Sequence, residues 1–365
     1  MRSMAALGLT LVFVESAPAD DITTTISGYG TAGGSFTSNG AYQYRHDQTE
    51  FVGAGNDFDT SLDSRIGVQA KVSFDSHWSI TAQEVVRERG DSTFEPGTEW
   101  LFVQYSPISA VDLRVGRMAL ATFLLSDSRN VGYAATWFHA PNEVYESEPF
   151  QYIDGAQGKW QFELGSFDIG LKAAYGTSEA NLELPTGLTD AKAKNVSSSS
   201  LSVQWNDLLV RAALTKGASP FQVPLAPEFI VGYTLQDKYL SFGTQYDNGS
   251  AIVISEWSKR TENDVPIVNK PLFASTQWYV AGGWRFGKFT PMVIYGGLKE
   301  NNPLADADGY YGTWSVALRY DIVRDIALKA EASRPIATNP AYWVTPSPDS
   351  NQRINVFGFG ADFVF

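Results

Sequence analysis

The sequence predicts an all-β protein, a transmembrane antiparallel β-barrel of about 16 strands with short periplasmic turns and long extracellular loops. Three observations predict this fold class. Apolar and polar residues alternate with a period of two along most of the chain, as in strands with two different faces. Short turns and long connections alternate between the predicted strands. The last segment, 353–365, keeps the alternation up to a phenylalanine at its final position.

The composition excludes several other classes of protein. Only 18% of the 365 residues are charged, whereas 13% are aromatic. The formal net charge of −13 argues against a nucleic-acid partner, because such binding needs clustered Lys and Arg. The absence of Cys excludes disulfides, thiolate metal sites and a thiol nucleophile.

The first 19 residues have the order of a cleavable secretory signal peptide. Arg2 precedes the apolar run Ala5–Val14, and Ala17-Pro18-Ala19 supplies small residues for cleavage. The apolar run is too short to span a bilayer as a helix. We expect residues 1–19 to be removed and 20–365 to form a single barrel domain.

The alternation begins at Ile22. In Trp314–Tyr320, large apolar residues alternate with small or charged ones, and segments 167–175 and 277–286 repeat the pattern. Tight turns such as Asn248-Gly249 join neighbouring strands. One stretch, 228–238, is ambiguous and could be a short helix. The predicted strands are 22–35, 61–74, 78–89, 98–106, 111–118, 152–163, 166–176, 197–206, 208–216, 239–247, 250–260, 275–286, 288–298, 311–320, 326–334 and 353–365.

The final strand is expected to pair with the first, because a closed barrel leaves no strand edge unpaired. Aromatic residues near predicted strand ends suit the two membrane–water interfaces. Each could separately belong to a soluble core, but together with a polar opposite face they favour a lipid-facing surface. These residues are Trp78, Trp100, Tyr105, Trp160, Trp205, Tyr295 and Tyr320.

With these features the chain resembles the Gram-negative trimeric porins, the 16-stranded general-porin superfamily. The local parts of the resemblance are Leu113–Arg117 before a long connection, Tyr246–Gly249 with Glu256-Trp257, and the closing strand. The resemblance implies a bacterial outer-membrane location among lipids and lipopolysaccharide. It also implies homotrimers and passive diffusion of small hydrophilic solutes.

In that family the third long loop folds into the pore and narrows it. The third long connection here, 119–151, is also the longest, and it contains Phe123, Tyr133, Trp137 and Phe138. Burial in the lumen would explain these aromatic residues. The alternative is an outward loop whose rings pack on the barrel rim. As a constriction loop, the segment would contribute the charged residues Arg129, Glu143, Glu146 and Glu148.

Basic residues of the strands mostly fall on the face opposite the large apolar residues. Lys or Arg facing mid-membrane hydrocarbon costs roughly 2–4 kcal/mol, so we expect these side chains to line water. The resemblance places a basic cluster on early strands, opposite the constriction loop. The expected basic wall comprises Arg65, Lys71, Arg87, Arg89, Arg114 and Arg117, and the other inward candidates are Lys159, Lys172, Arg211, Arg285, Arg319 and Lys329.

A basic wall predicts a preference for small anions, although each Arg could instead pair with a nearby Asp or Glu. Two residues do not follow the pattern. Arg117 breaks the lumen parity where its strand enters the loop. Glu84 falls on the outer face, where a trimer contact could shelter it unless the predicted register is wrong.

We expect no catalytic, cofactor-binding or metal-ligating residues. His46, His77 and His139 lie far apart in the sequence, and neither loop histidine has a visible Ser partner. Gly28-Tyr-Gly30-Thr-Ala-Gly33 matches a dinucleotide motif without the helix that such a site requires. The alternatives to a channel are an adhesin or receptor acting through long loops and, less favoured, a barrel lipase.

Overall fold

In the computed structural model, sixteen strands of the described residues form one closed antiparallel barrel. The structure describes residues 22–46, 52–89, 93–184, 187–226, 229–264, 270–271, 274–302, 307–337, 344–345 and 353–365. The predicted signal peptide lies outside these ranges. The predicted fold class is confirmed, with a strand at each of the sixteen expected places.

The strands are numbered in chain order. They are β1 Thr23–Thr37, β2 Gln43–Tyr44, β3 Arg65–Ser73, β4 Trp78–Arg89, β5 Thr93–Ile108, β6 Val111–Ala119, β7 Tyr152–Leu164, β8 Phe167–Leu184, β9 Gly187–Trp205, β10 Leu208–Ala226, β11 Phe229–Asp247, β12 Ala251–Glu262, β13 Ser275–Trp284, β14 Phe289–Asn302, β15 Ala307–Val323, β16 Ile326–Ala337, β17 Val344–Thr345 and β18 Val356–Val364. The short strands β2 and β17 pair with each other outside the barrel sheet.

Closure occurs between β1 and β18. The two strands are paired from Tyr29 with Val364 to Thr37 with Val356, and Gly28 and Phe365 exchange backbone hydrogen bonds of 2.8 and 2.9 Å. A Cβ on Gly28 would collide with the ring of Phe365. The glycine motif therefore lies in a strand and gives space to the closing strand, as its missing helix indicated.

The two faces of the wall have the expected difference in character. Val253, Val280, Val293 and Val316 are 43–60% exposed on the outer face, although valine is usually buried in a soluble fold. Their strand neighbours on the other face are buried. Trp78, Trp160, Trp205 and Trp284 are also exposed, each 46–49%, near the short turns of the barrel, as in an interfacial aromatic girdle.

Several strands are longer than predicted. β8 with β9 and β10 with β11 remain paired almost to residues 184–187 and 226–229, so their long connections are extended hairpins. The ambiguous stretch 228–238 is largely strand β11, and the helix considered there is wrong. Paired strands satisfy their backbone groups without an apolar face, so these extensions carry no strong alternation.

The described helices are short. Two 3₁₀ turns, Ser126–Ser128 and Gly132–Ala134, precede a single α-helical turn, α1, at Asn142–Tyr145. Within the described ranges, no helix has both the length and the apolar character that a membrane span requires.

Candidate functional site

The connection between β6 and β7, residues 120–151, contacts strands on opposite sides of the barrel. Lys172 of β8 binds Asp127 at 2.5 Å, and Ser35 of β1 contacts His139 at 3.1 Å. Further contacts reach the strands that lie between these two around the wall. One segment therefore bridges strands that lie far apart around the closed sheet.

An apolar cluster lies between this connection and the inner face. Phe123, Trp137 and Tyr145 of the connection pack with Tyr239 and Tyr279 of the wall, and each is at most 3% exposed. The Trp137 and Tyr279 rings meet edge to face with centroids 5.8 Å apart. Three of the four aromatic residues expected to be buried are buried: Phe123, Trp137 and Phe138. The fourth, Tyr133, lies 4.5 Å from the Arg319 guanidinium.

Two buried wall carboxylates accept hydrogen bonds from the connection. Glu256 accepts from the Leu124 backbone N–H at 2.7 Å and from the Tyr145 and Tyr279 hydroxyls. Glu331 accepts from the backbone N–H groups of Phe138 and His139 at 2.9 and 3.2 Å. Buried donors and acceptors are costly to leave without their hydrogen bonds, so these carboxylates fix the course of the connection.

Wall cations bind the carbonyl oxygens of the same segment. Arg211 donates to Ala121 O at 2.6 Å, and Lys329 donates to Gly132 O at 2.6 Å. Arg319 donates to two carbonyls, those of Tyr133 and Ala135. These three cations were expected to line water, but they contribute to holding the connection.

Phe138 occupies a space that three wall glycines leave open. A Cβ on Gly33, Gly358 or Gly360 would lie 2.5–2.7 Å from its ring, closer than real Cβ contacts. Two of these glycines are in the closing strand β18 and one is in β1. The seam of the barrel is therefore also a docking place for the connection.

On its other side, the connection faces the wall formed by β3 and β4. A cavity of about 110 Å³ separates them and is lined by Arg65 and Arg87 from the wall and by Arg129 from the connection. Arg65 and Arg87 are direct cross-strand partners. Asp63, Glu88 and Glu146 contribute carboxylates to the same lining, so the cavity contains both signs of charge.

The four predicted charged residues of the connection lie in different surroundings. Arg129 and Glu146 form an ion pair at 3.0 Å beside the cavity. Glu143, in α1, is 1% exposed and lies against Gly296 of β14, and burial raises its pKa to about 7. Burial also raises the pKa of Glu148 to about 8. Glu143 is therefore turned to the wall, away from the cavity.

The remaining residues of the expected basic wall are dispersed. Arg89 lies 3.7 Å from Glu99, and Arg114 donates to Gln104 at 2.8 Å. Lys71 has the same strand parity as Arg65 but does not line the cavity. Arg117 was expected in the lumen, but it is the cross-strand neighbour of the exposed Leu101.

The outer-face position of Arg117 has a physical reason. Its guanidinium binds both carboxylate oxygens of Asp154, at 2.7 and 2.8 Å, and lies 3.8 Å from the Tyr152 ring. Such a bidentate ion pair offsets the cost of placing the Arg charge outside the lumen. Glu84 also keeps its outer-face position and accepts a hydrogen bond from Thr98, so the predicted register there was right.

The structure corrects the expectation about the histidines. His46 and His139 have ring centroids 4.8 Å apart, and the Nε2 atom of each lies 3.0–3.1 Å from Asp63 Oδ1. Burial acts to raise the pKa of Asp63, but the two imidazoles hold it well below its usual range. His139 also has a serine neighbour, Ser35, which sequence reasoning missed because these residues are far apart along the chain.

Comparison with known proteins rests on structure alone. No protein-family model matches the chain, and no curated protein matches it. Solved structures match over nearly its whole length. In vitro folded OmpT of Vibrio cholerae, in its trimer form, is 16% identical with a TM-score of 0.64, covering 95% of this chain and 100% of its own.

An anion-selective porin from Comamonas acidovorans is 11% identical with a TM-score of 0.60, over 94% of this chain and 100% of that porin. The chain has the fold of the general porins. The outer membrane channel DcaP of Acinetobacter baumannii is similar at 12% identity and a TM-score of 0.57, with coverage of 94% and 97%. At these identities, the likeness to general porins concerns the fold.

Proposed function

We propose that the chain is an outer-membrane porin, a passive diffusion channel for small hydrophilic solutes. The observation that carries the proposal is the charged cavity between connection 120–151 and the wall of β3 and β4. In this proposal residues 119–151 are the constriction loop, and solutes pass between Arg129 on the loop and Arg65 and Arg87 on the wall.

The outer surface supports a membrane location. Apolar side chains that are exposed around the barrel would be unfavourable in water, at roughly 25 cal/mol per Å², and lipid would cover them. The tryptophans near the short turns suit one interface. Export through a cleavable signal peptide, residues 1–19, is part of the same proposal.

We further propose a preference for small anions such as carboxylates or phosphate. Three guanidinium groups line the cavity, and guanidinium matches the geometry of carboxylate and phosphate oxygens. Asp63, Glu88 and Glu146 oppose this preference, but Glu146 already pairs with Arg129 at 3.0 Å and Asp63 with two imidazoles. Arg65 and Arg87, on adjacent strands, concentrate positive charge on one side of a lining that carries three guanidinium groups and three carboxylates.

A homotrimer is the proposed assembly. The OmpT structure with the same fold was obtained in a trimer form. Glu84 and its partner Thr98 lie on the outer face near the middle of the β4–β5 pair, and a contact between protomers would shelter this carboxylate from hydrocarbon. Light scattering of the detergent-solubilised protein, with the detergent mass subtracted, should give three chains per particle.

In this proposal the chain acts as a channel and not as an enzyme. Ser35, His139 and Asp63 include the residue types of a hydrolase triad, but Ser35 is fully buried. Its hydroxyl donates to Asp63 at 2.5 Å, and Asp63 contacts the same His139 nitrogen that Ser35 approaches. A triad needs a carboxylate hydrogen-bonded to the opposite imidazole nitrogen. The carboxylate nearest to His139 Nδ1 is that of Glu331, at 3.9 Å, which is beyond hydrogen-bonding distance, so this arrangement does not activate the serine.

Planar-bilayer recording tests the channel. We expect ohmic conductance steps, grouped in threes for a trimer, and a reversal potential of anion-selective sign under a salt gradient. A membrane that stays silent after verified insertion would overturn the channel and favour the adhesin or receptor alternative. Clear cation selectivity would refute the anion preference while leaving the channel intact.

A further inference from the structure

We propose that His46, Asp63 and His139 form a binding site for one divalent transition-metal ion of the Zn²⁺ type. One possible ligand atom from each residue lies within 4.8 Å of the other two. The site joins the connection that follows β2 to the connection between β6 and β7. It goes beyond the proposed channel function and does not depend on it.

The distances suit a small tetrahedral ion. Ligand bonds of 2.0–2.2 Å on a tetrahedron place neighbouring ligand atoms about 3.3 Å apart. Asp63 Oδ1 lies 3.1 Å from His46 Nε2 and 3.0 Å from His139 Nε2. The ligand nitrogens of the two histidines lie within 4.8 Å of each other, so binding requires them to approach by at most about 1.5 Å. Two nitrogens and one carboxylate oxygen are a usual ligand set for Zn²⁺ in sites with an open fourth position.

The surroundings hold the ligands in place. Ser35 Oγ donates to the second oxygen of Asp63 at 2.5 Å, which orients the carboxylate. His139 is fixed through its backbone N–H by Glu331, whose other oxygen lies 3.9 Å from Nδ1. A carboxylate near the non-ligating imidazole nitrogen is the common second layer of a metal site. Tyr44 packs against both imidazole rings, with centroids 5.2 and 5.4 Å away.

An ion can reach the site from the cavity. His46, Asp63 and His139 all line the space of about 110 Å³, and the His46 side chain is 19% exposed. The nearby guanidiniums of Arg65, Arg87 and Arg129 disfavour a cation, but Asp63, Glu88 and Glu146 in the same lining balance them in formal charge. The fourth coordination position would hold water from the cavity. The bound ion would link connection 120–151, through His139, to the residues between β2 and β3, through His46 and Asp63.

The test measures binding directly, on the full chain without a polyhistidine tag, folded in detergent. Titration calorimetry with Zn²⁺ should give one ion per chain, and Co²⁺ should give the visible absorption of a tetrahedral complex. His46→Gln should weaken Zn²⁺ binding at least tenfold, because a ligand is lost at a partly exposed position. His77→Gln is the matched control, since His77 lies 3.9 Å from Asp75 in an exposed turn and does not line the cavity. That variant should bind as the wild type does.

Absence of Zn²⁺ binding by the wild type, or equal affinity in His46→Gln, would overturn the site. A loss of binding in His77→Gln alone would also overturn it, by assigning the ion to the turn. Because binding is measured in detergent, a failed conductance experiment leaves this result unaffected. A recording with added Zn²⁺ supplies a second measurement: conductance should fall in the wild type and in His77→Gln but not in His46→Gln.

Discussion

Arg65 and Arg87 are direct cross-strand neighbours in β3 and β4, and both line the cavity that faces Arg129. Like charges placed directly opposite each other in a sheet are destabilising. The pair therefore lowers the stability of the fold. In the proposed channel it supplies a concentrated positive potential at the narrow passage.

Replacing this pair tests that role. Arg65→Gln with Arg87→Gln should move the reversal potential toward cations and lower anion permeability severalfold, because the cavity keeps its carboxylates and loses two cations. The control is Lys288→Gln, which removes one positive charge from an exposed turn. An unchanged reversal potential in the double variant would show that Arg65 and Arg87 do not set selectivity.

Glu256 should control the position of the proposed constriction loop. Glu256→Ala leaves the donors of Leu124, Tyr145 and Tyr279 without their acceptor, at about 1–3 kcal/mol for each buried group. We expect a larger and noisier single-channel conductance. Glu256→Gln should be intermediate, since its amide oxygen still accepts. The exposed Glu163 gives the control Glu163→Ala, and equal recordings from both alanine variants would contradict the role of Glu256.

The packing of Phe138 against the wall glycines can be tested with a larger side chain. In Gly360→Val, the new Cβ would lie 2.5 Å from the Phe138 ring and 3.0 Å from Gly33 Cα. Overpacking of this kind costs about 1–3 kcal/mol, and displacement of the ring should lower the melting temperature. Gly282→Val is the matched control, because nothing lies within 4 Å of a Cβ at that position. Thermal unfolding monitored by circular dichroism measures both variants. Equal melting temperatures would argue against close packing of Phe138 on Gly360.

Glu148 should make stability depend on pH. Burial raises its pKa from the ordinary 4.5 to about 8, so the folded chain retains a proton that the unfolded chain loses between these values. Its stabilising contribution is complete below pH about 4.5 and is lost as pH rises through about 8. The melting temperature should therefore fall over this range, and Glu148→Gln should remove part of the fall. Glu163→Gln, at an exposed site, should retain it.

The sequence contains enough information for the barrel because lipid and water act on opposite faces of each strand. Val280 and Tyr279 are consecutive residues of β13, and their side chains point to opposite faces of the sheet. Val280 is therefore exposed and Tyr279 is buried. The extended hairpins were missed because strands beyond the apolar band need no such contrast. The ambiguous stretch at 228–238 belongs to one of them.

The site was less predictable, since its contacts depend on the path of one long connection. Aromatic content indicated that the connection is buried, but not that Glu143 faces the wall while Glu146 faces the cavity. One feature of the sequence indicated that Glu256 and Glu331 anchor the connection: each is an acidic residue in the middle of a strand, on the inner face. The cluster of His46, Asp63 and His139 had none, because residues distant in sequence meet there only after the barrel closes.

Closure by β1 and β18 also dictates the order in which the molecule can assemble. Gly28 and Phe365 belong to strands separated by most of the chain, so their hydrogen bonds form last in any sequential growth of the sheet. Until then the intermediate has two unpaired edges, which favour association with other copies. A chain of this topology must therefore be kept from premature self-association until all of its strands can enter one sheet together.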